Sequence, residues 1–429
     1  MGRWGLALLG WVLAASAANA AGSDLEPVAK ALAIVRASKP INDERDAGPE
    51  LNAVKTSLRL WAESRFERFR PFVPISDGAS RSATGLDTLE AQLNADLKNA
   101  DLTCDGVKAP LARCGDPGAP GYGPRESSRG YVGGVTLQFL EDNRYLLLET
   151  TVGVVCGYDE SAYLYKWRNA RWQLILAAET NDYRKGRYGP QELISVEASP
   201  ANVAWNEPAR KPPLVLTLGF SPWCSSNWQA LYVRLWRVSP STVAPKPLLD
   251  ISPTLFMGDE PRVAAGSITA DDVLIQFEGN SIDSGERTHV LHYAIGENDR
   301  LERIAPVALN PRDFVDEWLT SPWSEAAMWS RTPPKLEAFH RSHHKDFLLG
   351  EFDGDAKRCR SDDALWQIGF AANGEKDDTG ETFYYLVRWD APYRFTLEAV
   401  RDRSFAGCDI PAKSPDTFGT LFPLQDWRR

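Results

Sequence analysis

Three segments of the chain, residues 163–167, 232–236 and 385–389, share the pattern Tyr-x3-Trp. Residues 289–293 occupy the corresponding place in a further unit, with His289 and Tyr293 instead of the Tyr and Trp. Positions i and i+4 of a β-strand point to one face, so each pair of rings is expected to pack on the same side of a sheet. A motif repeated at this scale predicts a β architecture built from repeating units.

Apolar runs flank each motif. The preceding runs cover residues 145–155, 214–220, 273–277 and 365–370, and the following runs cover 172–177, 247–251, 301–307 and 395–400. With a leading segment such as 132–140 or 193–198, each unit supplies about four strands. The sequence therefore predicts a mainly β fold, a β-propeller-like array of about four four-stranded antiparallel units. Tandem β-sandwiches are the alternative architecture.

The segments outside the repeats have other signatures. Residues 1–20 have a basic start, an apolar stretch and a small-x-small end, which predicts a cleaved signal peptide and a secreted or periplasmic protein. Residues 21–114 are expected to form a helical N-terminal region, with one apolar helical stripe around Leu58 and a second helix beginning at Asp87. The Gly- and Pro-rich residues 115–130 indicate a loop or linker. Residues 131–429 then form the repeat domain, with an inserted helix near 311–330.

Charge and cysteine content limit the possible partners. The formal net charge of −10 argues against nucleic-acid binding. After the signal segment, no apolar run approaches the roughly 20 residues that a membrane span requires. Six cysteines in an exported chain predict disulfides, although fifteen connectivities are possible. The pairs that we consider are Cys104–Cys114, Cys156–Cys224 at matching strand ends of neighbouring units, and Cys359–Cys408.

Polar residues concentrate between the second and third strand of each unit. In a propeller these loops emerge on one rim and present a binding surface, whereas the simpler interpretation is a set of solvated hairpin turns. The candidate ligand-binding residues are Asp159, Glu160, Trp223, Asn227, Trp228, Asp283, Glu286, Arg287 and His289. The predicted function is binding of a protein or a cell-envelope glycan. The alternative is a glycan-acting hydrolase that uses carboxylates on the same rim, such as Asp159, Glu160, Asp283 and Glu286.

One acidic segment adds a family resemblance. Residues 350–355, with Asp362 and Asp363 before the next apolar run, resemble one repeat of the FG-GAP or VCBS type of β-propeller. The resemblance implies a calcium loop with Glu351, Asp353, Asp355 and Asp362 as oxygen ligands, so that calcium is the implied cofactor. Lys357, Arg358 and Arg360 interrupt the pattern, and a solvated acidic turn is the other interpretation.

Overall fold

The structure is a computed structural model. It describes residues 24–37, 48–67, 69–70, 83–104, 130–140, 145–154, 157–180, 191–199, 213–221, 228–238, 245–256, 264–283, 285–343, 350–372, 381–391 and 393–411. The chain divides into two compact units, Met1–Thr254 and Leu255–Arg429. The predicted signal peptide and the predicted linker at 115–129 lie outside the described residues.

Unit 1 begins with three helices. They are α1 (Glu26–Ala37), α2 (Gly48–Phe66) and α3 (Ala83–Asn99). The predicted helical stripe is confirmed in α2, where Leu51, Val54 and Leu58 are buried. The predicted start of the second helix at Asp87 is wrong. Helix α3 begins earlier, at Ala83, because Leu86 shares the buried face of the helix with Leu93 and contributes to the same core.

Unit 1 continues with two antiparallel sheets. Sheet 1 consists of β1 (Val132–Leu140), β2 (Tyr145–Val154), β3 (Gly157–Arg168) and β4 (Arg171–Ala178), in that order. Sheet 2 contains β5 (Glu192–Ala198), β6 (Leu214–Phe220), β7 (Trp228–Arg237) and β8 (Leu249–Ile251), in that order, and the short strand β9 (Thr254–Phe256) follows in the chain. Every apolar run predicted between residues 132 and 251 contains or overlaps one of these strands.

The two faces of sheet 1 pack against different partners. Alternate residues of β3, including Tyr163 and Tyr165, belong to an apolar core shared with the three helices. The intervening residues, including Ala162 and Leu164, belong to a second core shared with Val215 and other residues of sheet 2. Sheet 1 is therefore the middle layer between the helices and sheet 2.

Unit 2 contains the remaining two sheets and three further helices. Sheet 3 has the order β10 (Ala264–Ile268), β11 (Asp272–Asn280), β12 (Glu286–Ile295) and β13 (Leu301–Arg303). The helices are α4 (Pro311–Thr320), α5 (Trp323–Ala326) and α6 (Pro333–His343). The strands of sheet 4 are β14 (Gly350–Phe352), β15 (Lys357–Cys359), β16 (Leu365–Ala372), β17 (Thr382–Ala391), β18 (Arg394–Arg401) and β19 (Cys408–Pro411).

Helix α4 occupies the segment in which the sequence predicts an inserted helix. Phe314, Val315 and Trp318 are fully buried in a core that this helix shares with sheet 4. Asn310 caps the helix, because its side-chain oxygen accepts the backbone N–H of Asp313 at 2.9 Å.

The prediction of about four antiparallel units is confirmed as four antiparallel sheets, and the chain is mainly β with a few helices. The strand number is not uniformly four, however. Sheet 4 has six strands because two three-residue strands, β14 and β15, each pair with part of β16, and β19 joins the edge of β15. Sequence patterns missed β9, β10, β14, β15 and β19, since all are short.

In two of its strands, β3 and β17, the Tyr-x3-Trp motif places both rings on one face of the strand, as predicted. Tyr163 and Trp167 contact one core cluster, and Tyr385 and Trp389 contact another, so each pair lies on one face of its strand.

One predicted disulfide is confirmed. Cys359 and Cys408 are bonded, with a Cα–Cα distance of 3.7 Å, and join β15 to β19. Cys104 is also disulfide-bonded. Cys114, Cys156 and Cys224 lie outside the described residues, so the pairings proposed for them stay predictions.

Candidate functional site

In unit 1, the strand ends beside the predicted loops lie together. The start of β3 contacts the segment that leads into β5, because the Glu160 N–H donates to the Gln191 carbonyl at 2.7 Å. The start of β5 pairs with the end of β6, and the end of β6 pairs with β7 at Phe220 and Leu231. The ends of the second strands and the starts of the third strands of sheets 1 and 2 therefore lie at the same end of unit 1.

Three large apolar side chains are exposed at this end. Tyr158 of β3 is 40% exposed, Ile194 of β5 is 41% exposed and Trp228 of β7 is 49% exposed. The aromatic residues of the core beneath the helices, such as Tyr163 and Tyr165, are instead buried. We call Tyr158, Glu160, Ile194 and Trp228 the strand-end site.

Strand alternation places the two rings of the strand-end site on facing sheets. Tyr158 and Glu160 are even-numbered residues of β3, like Ala162 and Leu164, which pack against sheet 2. Trp228 is likewise on the side of β7 that carries Trp236, and Trp236 belongs to the core between the sheets. The rings thus extend from the two facing surfaces, beyond the apolar core that fills the space between them.

Polar contacts hold the sheet 1 side of this site. The Glu160 carboxylate accepts the backbone N–H of Leu193 at 2.6 Å, which connects β3 to β5. The ring of Tyr158 meets the ring of Tyr131 edge-on, with centroids 6.4 Å apart. Tyr131 in turn lies over Gly153, where a Cβ would collide with the ring. The Tyr158 ring is therefore supported by a second ring rather than by its strand alone.

The structure assigns Asp159 a different place from its two neighbours. Its side chain points to the helix side of sheet 1, is fully buried, and forms an ion pair with Lys55 of α2 at 2.9 Å. Lys55 also donates to the Thr180 carbonyl at 2.6 Å, and the Thr180 hydroxyl donates to Asp159 at 3.2 Å. Asp159 therefore connects a helix to sheet 1 and is inaccessible to a ligand.

Two buried tyrosines of β3 also donate hydrogen bonds to half-buried carboxylates. Glu63, two turns after Lys55, accepts the Tyr165 hydroxyl at 2.8 Å, and Tyr163 donates to Glu179 at 2.7 Å. Burial, followed by the partner carboxylate, raises the pKa of both tyrosines well above 10. The two tyrosines therefore stay protonated and serve as donors that bind the carboxylates.

In unit 2, the predicted loop residues separate into exposed and buried groups. Glu286 is exposed at the start of β12, and Asp283 accepts the Gly285 N–H and pairs with Arg312 of α4. Arg287 is buried and contacts Asp316 at 3.1 Å and Glu317 at 2.9 Å. The expectation that Arg287 presents its charge to a ligand is therefore not met, because two carboxylates of α4 cover it.

Arg303 completes this buried cluster. Its guanidinium lies 2.9 Å from the second Glu317 oxygen, so that Glu317 bridges β12 and β13. Burial acts to raise the pKa of Glu317, but Arg287 and Arg303 together outweigh it and lower the pKa. For Asp316, burial prevails over Arg287 and the pKa is raised. The cluster fastens α4 to sheet 3.

His289 is held in the neutral form. Its ring stacks on Phe277 with centroids 4.8 Å apart, and its Nε2 is 3.0 Å from the Asn280 carbonyl. Burial and then the nearby Arg287 lower its pKa to about 3. These contacts describe a packed strand residue and give no support for a role in ligand binding. Trp223 and Asn227 lie outside the described residues.

Glu351, Asp353 and Asp355 of the calcium-like loop are exposed and Asp362 is partly buried. Asp353 accepts the Tyr384 hydroxyl at 3.2 Å, and Asp362 accepts from Arg388 at 2.9 Å. Within the described part of the chain, no three His, Cys, Asp or Glu side chains form a group that could hold a metal ion. Calcium binding by Glu351, Asp353, Asp355 and Asp362 therefore stays a prediction from the resemblance.

Sequence reasoning missed the partners of the buried charges: Lys55, Arg303, Asp316 and Glu317. A signal existed for the last two, because they lie between Val315 and Trp318 in the apolar stripe of a predicted helix. Charged residues are rarely buried unless they are paired, so burial of this helix would require such partners. Nothing local identifies that partner.

Comparisons with known proteins return little. No family model matches the chain, and no curated protein matches it. Three solved structures resemble it loosely. A protein solved as an RGII complex is 11% identical with a TM-score of 0.23, and a glycoside hydrolase is 12% identical with a TM-score of 0.24; for each, the match covers 67% of this protein and 77% of the other. An endo-1,4-beta-xylanase from Bacteroides thetaiotaomicron is 8% identical with a TM-score of 0.18, over 63% of this protein and 76% of that one.

These likenesses are too loose to transfer a fold or an activity.

Among the described helices, none is both long and apolar enough to cross a membrane.

Proposed function

We propose that the protein is an exported binding protein that captures its ligand at the strand-end site of unit 1. The observation behind this proposal is the pair of exposed rings, Tyr158 and Trp228, on the facing sides of two packed sheets. Binding sites combine aromatic surface with a few placed polar groups, and Glu160 lies on the same face of β3 as Tyr158. Export to the periplasm or the exterior is inferred from residues 1–20.

The contacts of the carboxylates favour binding over hydrolysis. A glycan hydrolase needs two carboxyl groups that reach the substrate. Asp159 is fully buried against Lys55, Glu160 accepts a backbone N–H, and Asp283 is paired with Arg312. Each of these three groups already has an internal partner that fixes it in place, and Glu286, the fourth candidate, is exposed but supplies only one carboxylate. We also propose that the four sheets are blades of a propeller-like array, which the recurring strand order supports.

The proposal is tested by co-sedimentation of the purified protein with an envelope fraction from Gram-negative cells. We expect the double variant Tyr158→Ala/Trp228→Ala to lose most of the bound fraction, while its melting temperature stays within a few degrees of wild type. Met328→Ala is the matched control, because Met328 is equally exposed at 49% but belongs to unit 2. Undiminished sedimentation of the double variant, or no sedimentation of wild type, contradicts the proposal.

A further inference from the structure

The geometry points to a glycan as the ligand of the strand-end site, bound by stacking of sugar rings on Tyr158 and Trp228; this inference rests on the proposed function. The two side chains project from β3 and β7, whose sheets share one core. Both rings are exposed at the same end of that core, so a ligand bound at this end can contact both. A flat, partly apolar pyranose ring suits such a pair, because the face of an aromatic ring packs against its C–H groups.

The support beneath Tyr158 makes its ring suitable for stacking. Tyr131 meets it edge-on, and the missing Cβ of Gly153 leaves room for Tyr131. A ring held by a neighbouring ring loses less conformational entropy when a ligand binds, so more of the stacking energy contributes to affinity. The Tyr158 ring also carries a hydroxyl, a group of the kind that sugar hydroxyls bind.

The backbone near this site disfavours a polypeptide bound by strand addition. Strand addition needs unpaired backbone groups along a sheet edge. Here the Glu160 N–H donates to Gln191, and the Leu193 N–H donates to the Glu160 side chain. On sheet 2, Ser221 and Ala230 exchange hydrogen bonds, and the Leu231 N–H donates to Pro253. Binding must therefore rely on side chains, which suits stacked sugars.

The test uses affinity gel electrophoresis with purified polysaccharides cast in the gel: xylan, hydroxyethylcellulose and polygalacturonate, together with sedimentation on protease-treated peptidoglycan sacculi. We expect at least one of these glycans to retain wild type. Trp228→Ala should weaken that retention about tenfold, a change that corresponds to about 1.4 kcal/mol. Trp228→Phe and Tyr158→Phe keep a stacking ring and should stay within about threefold of wild type. Because stacking is not ionic, about 0.5 M NaCl should leave retention unchanged.

The outcomes separate the two proposals. Retention that is equal for Trp228→Ala and wild type, or retention by none of the four glycans, overturns the glycan inference. If envelope binding depends on Tyr158 and Trp228 but disappears after protease treatment of the envelopes, the ligand is a protein; the binding function then survives and the glycan inference fails. If envelope binding ignores both residues, the proposed function itself fails. Trp228→Phe losing as much as Trp228→Ala also counts against stacking.

Discussion

The buried pair of Lys55 and Asp159 gives the sharpest test of how unit 1 is held together. Both side chains are 0% exposed and lie 2.9 Å apart. Lys55→Met retains the aliphatic stem but leaves the Asp159 carboxylate buried without its counter-charge. Removing one partner of a buried pair generally costs about 3–5 kcal/mol, so we expect the free energy of unfolding to fall by that amount. Urea unfolding at pH 7, followed by tryptophan fluorescence, measures it.

A second substitution separates charge from packing. In Lys55→Met/Asp159→Asn no charge remains, and the Asn oxygen can still accept the Thr180 hydroxyl that now binds Asp159 at 3.2 Å. We expect the double variant to be more stable than Lys55→Met alone by up to about 3 kcal/mol. Arg59→Met, one turn along the same helix in a half-buried pair with Glu63, should cost only about 1 kcal/mol. A loss below about 1 kcal/mol for Lys55→Met, or strictly additive effects, would refute the buried-charge argument.

Three further perturbations test unit 2. Glu317→Gln removes the carboxylate that Arg287 and Arg303 share, and we expect the free energy of unfolding in urea to fall by about 3 kcal/mol or more. A fall of less than about 1 kcal/mol would mean that water can replace the carboxylate as the partner of the two arginines. His289 has a folded pKa of about 3 against 6.5 when unfolded, so its contribution to stability is present above pH 6.5 and declines as the pH falls towards 3. His289→Phe keeps the stack on Phe277 but cannot take up a proton. Its melting temperature should therefore fall less than that of wild type between pH 7 and pH 4, and an equal fall in both proteins would contradict the lowered pKa of His289. Replacing the bonded pair Cys359–Cys408 by two serines opens a link across 49 residues, for which the chain-entropy model gives about 4 kcal/mol, and an unchanged melting temperature would show that the β19 contacts suffice without it.

Much of the β architecture could be predicted from the chain alone. The long strands β2, β3, β6, β11, β16, β17 and β18 coincide with apolar runs or with the aromatic motif. Strand formation at these places follows from alternation and β-propensity within a few residues, which is local information. The strands that were missed have three to five residues, which carry too little periodicity, and β19 pairs with β15 at the edge of sheet 4.

The candidate site divides in the same way. Glu160 and Trp228 were predicted as binding residues near strand ends, whereas Tyr158 was not, although its alternation with core residues is readable in the sequence. Asp159 looked equivalent to Glu160 in the sequence, yet the two point to opposite faces of one strand. Only one of them meets a lysine, and that lysine is 104 residues earlier in the chain.

What the chain determines by itself is thus the long strands, the repeat and the faces of each long strand, because these depend on neighbours in sequence. The tertiary structure decides which charges are buried. Asp159 is neutralised by α2 and Arg287 by α4, so both are removed from solvent, whereas Tyr158 and Trp228 remain at the surface where the core between their sheets ends. Burial of a charge depends on whether a distant element delivers the opposite charge, and only the packed chain brings the two together.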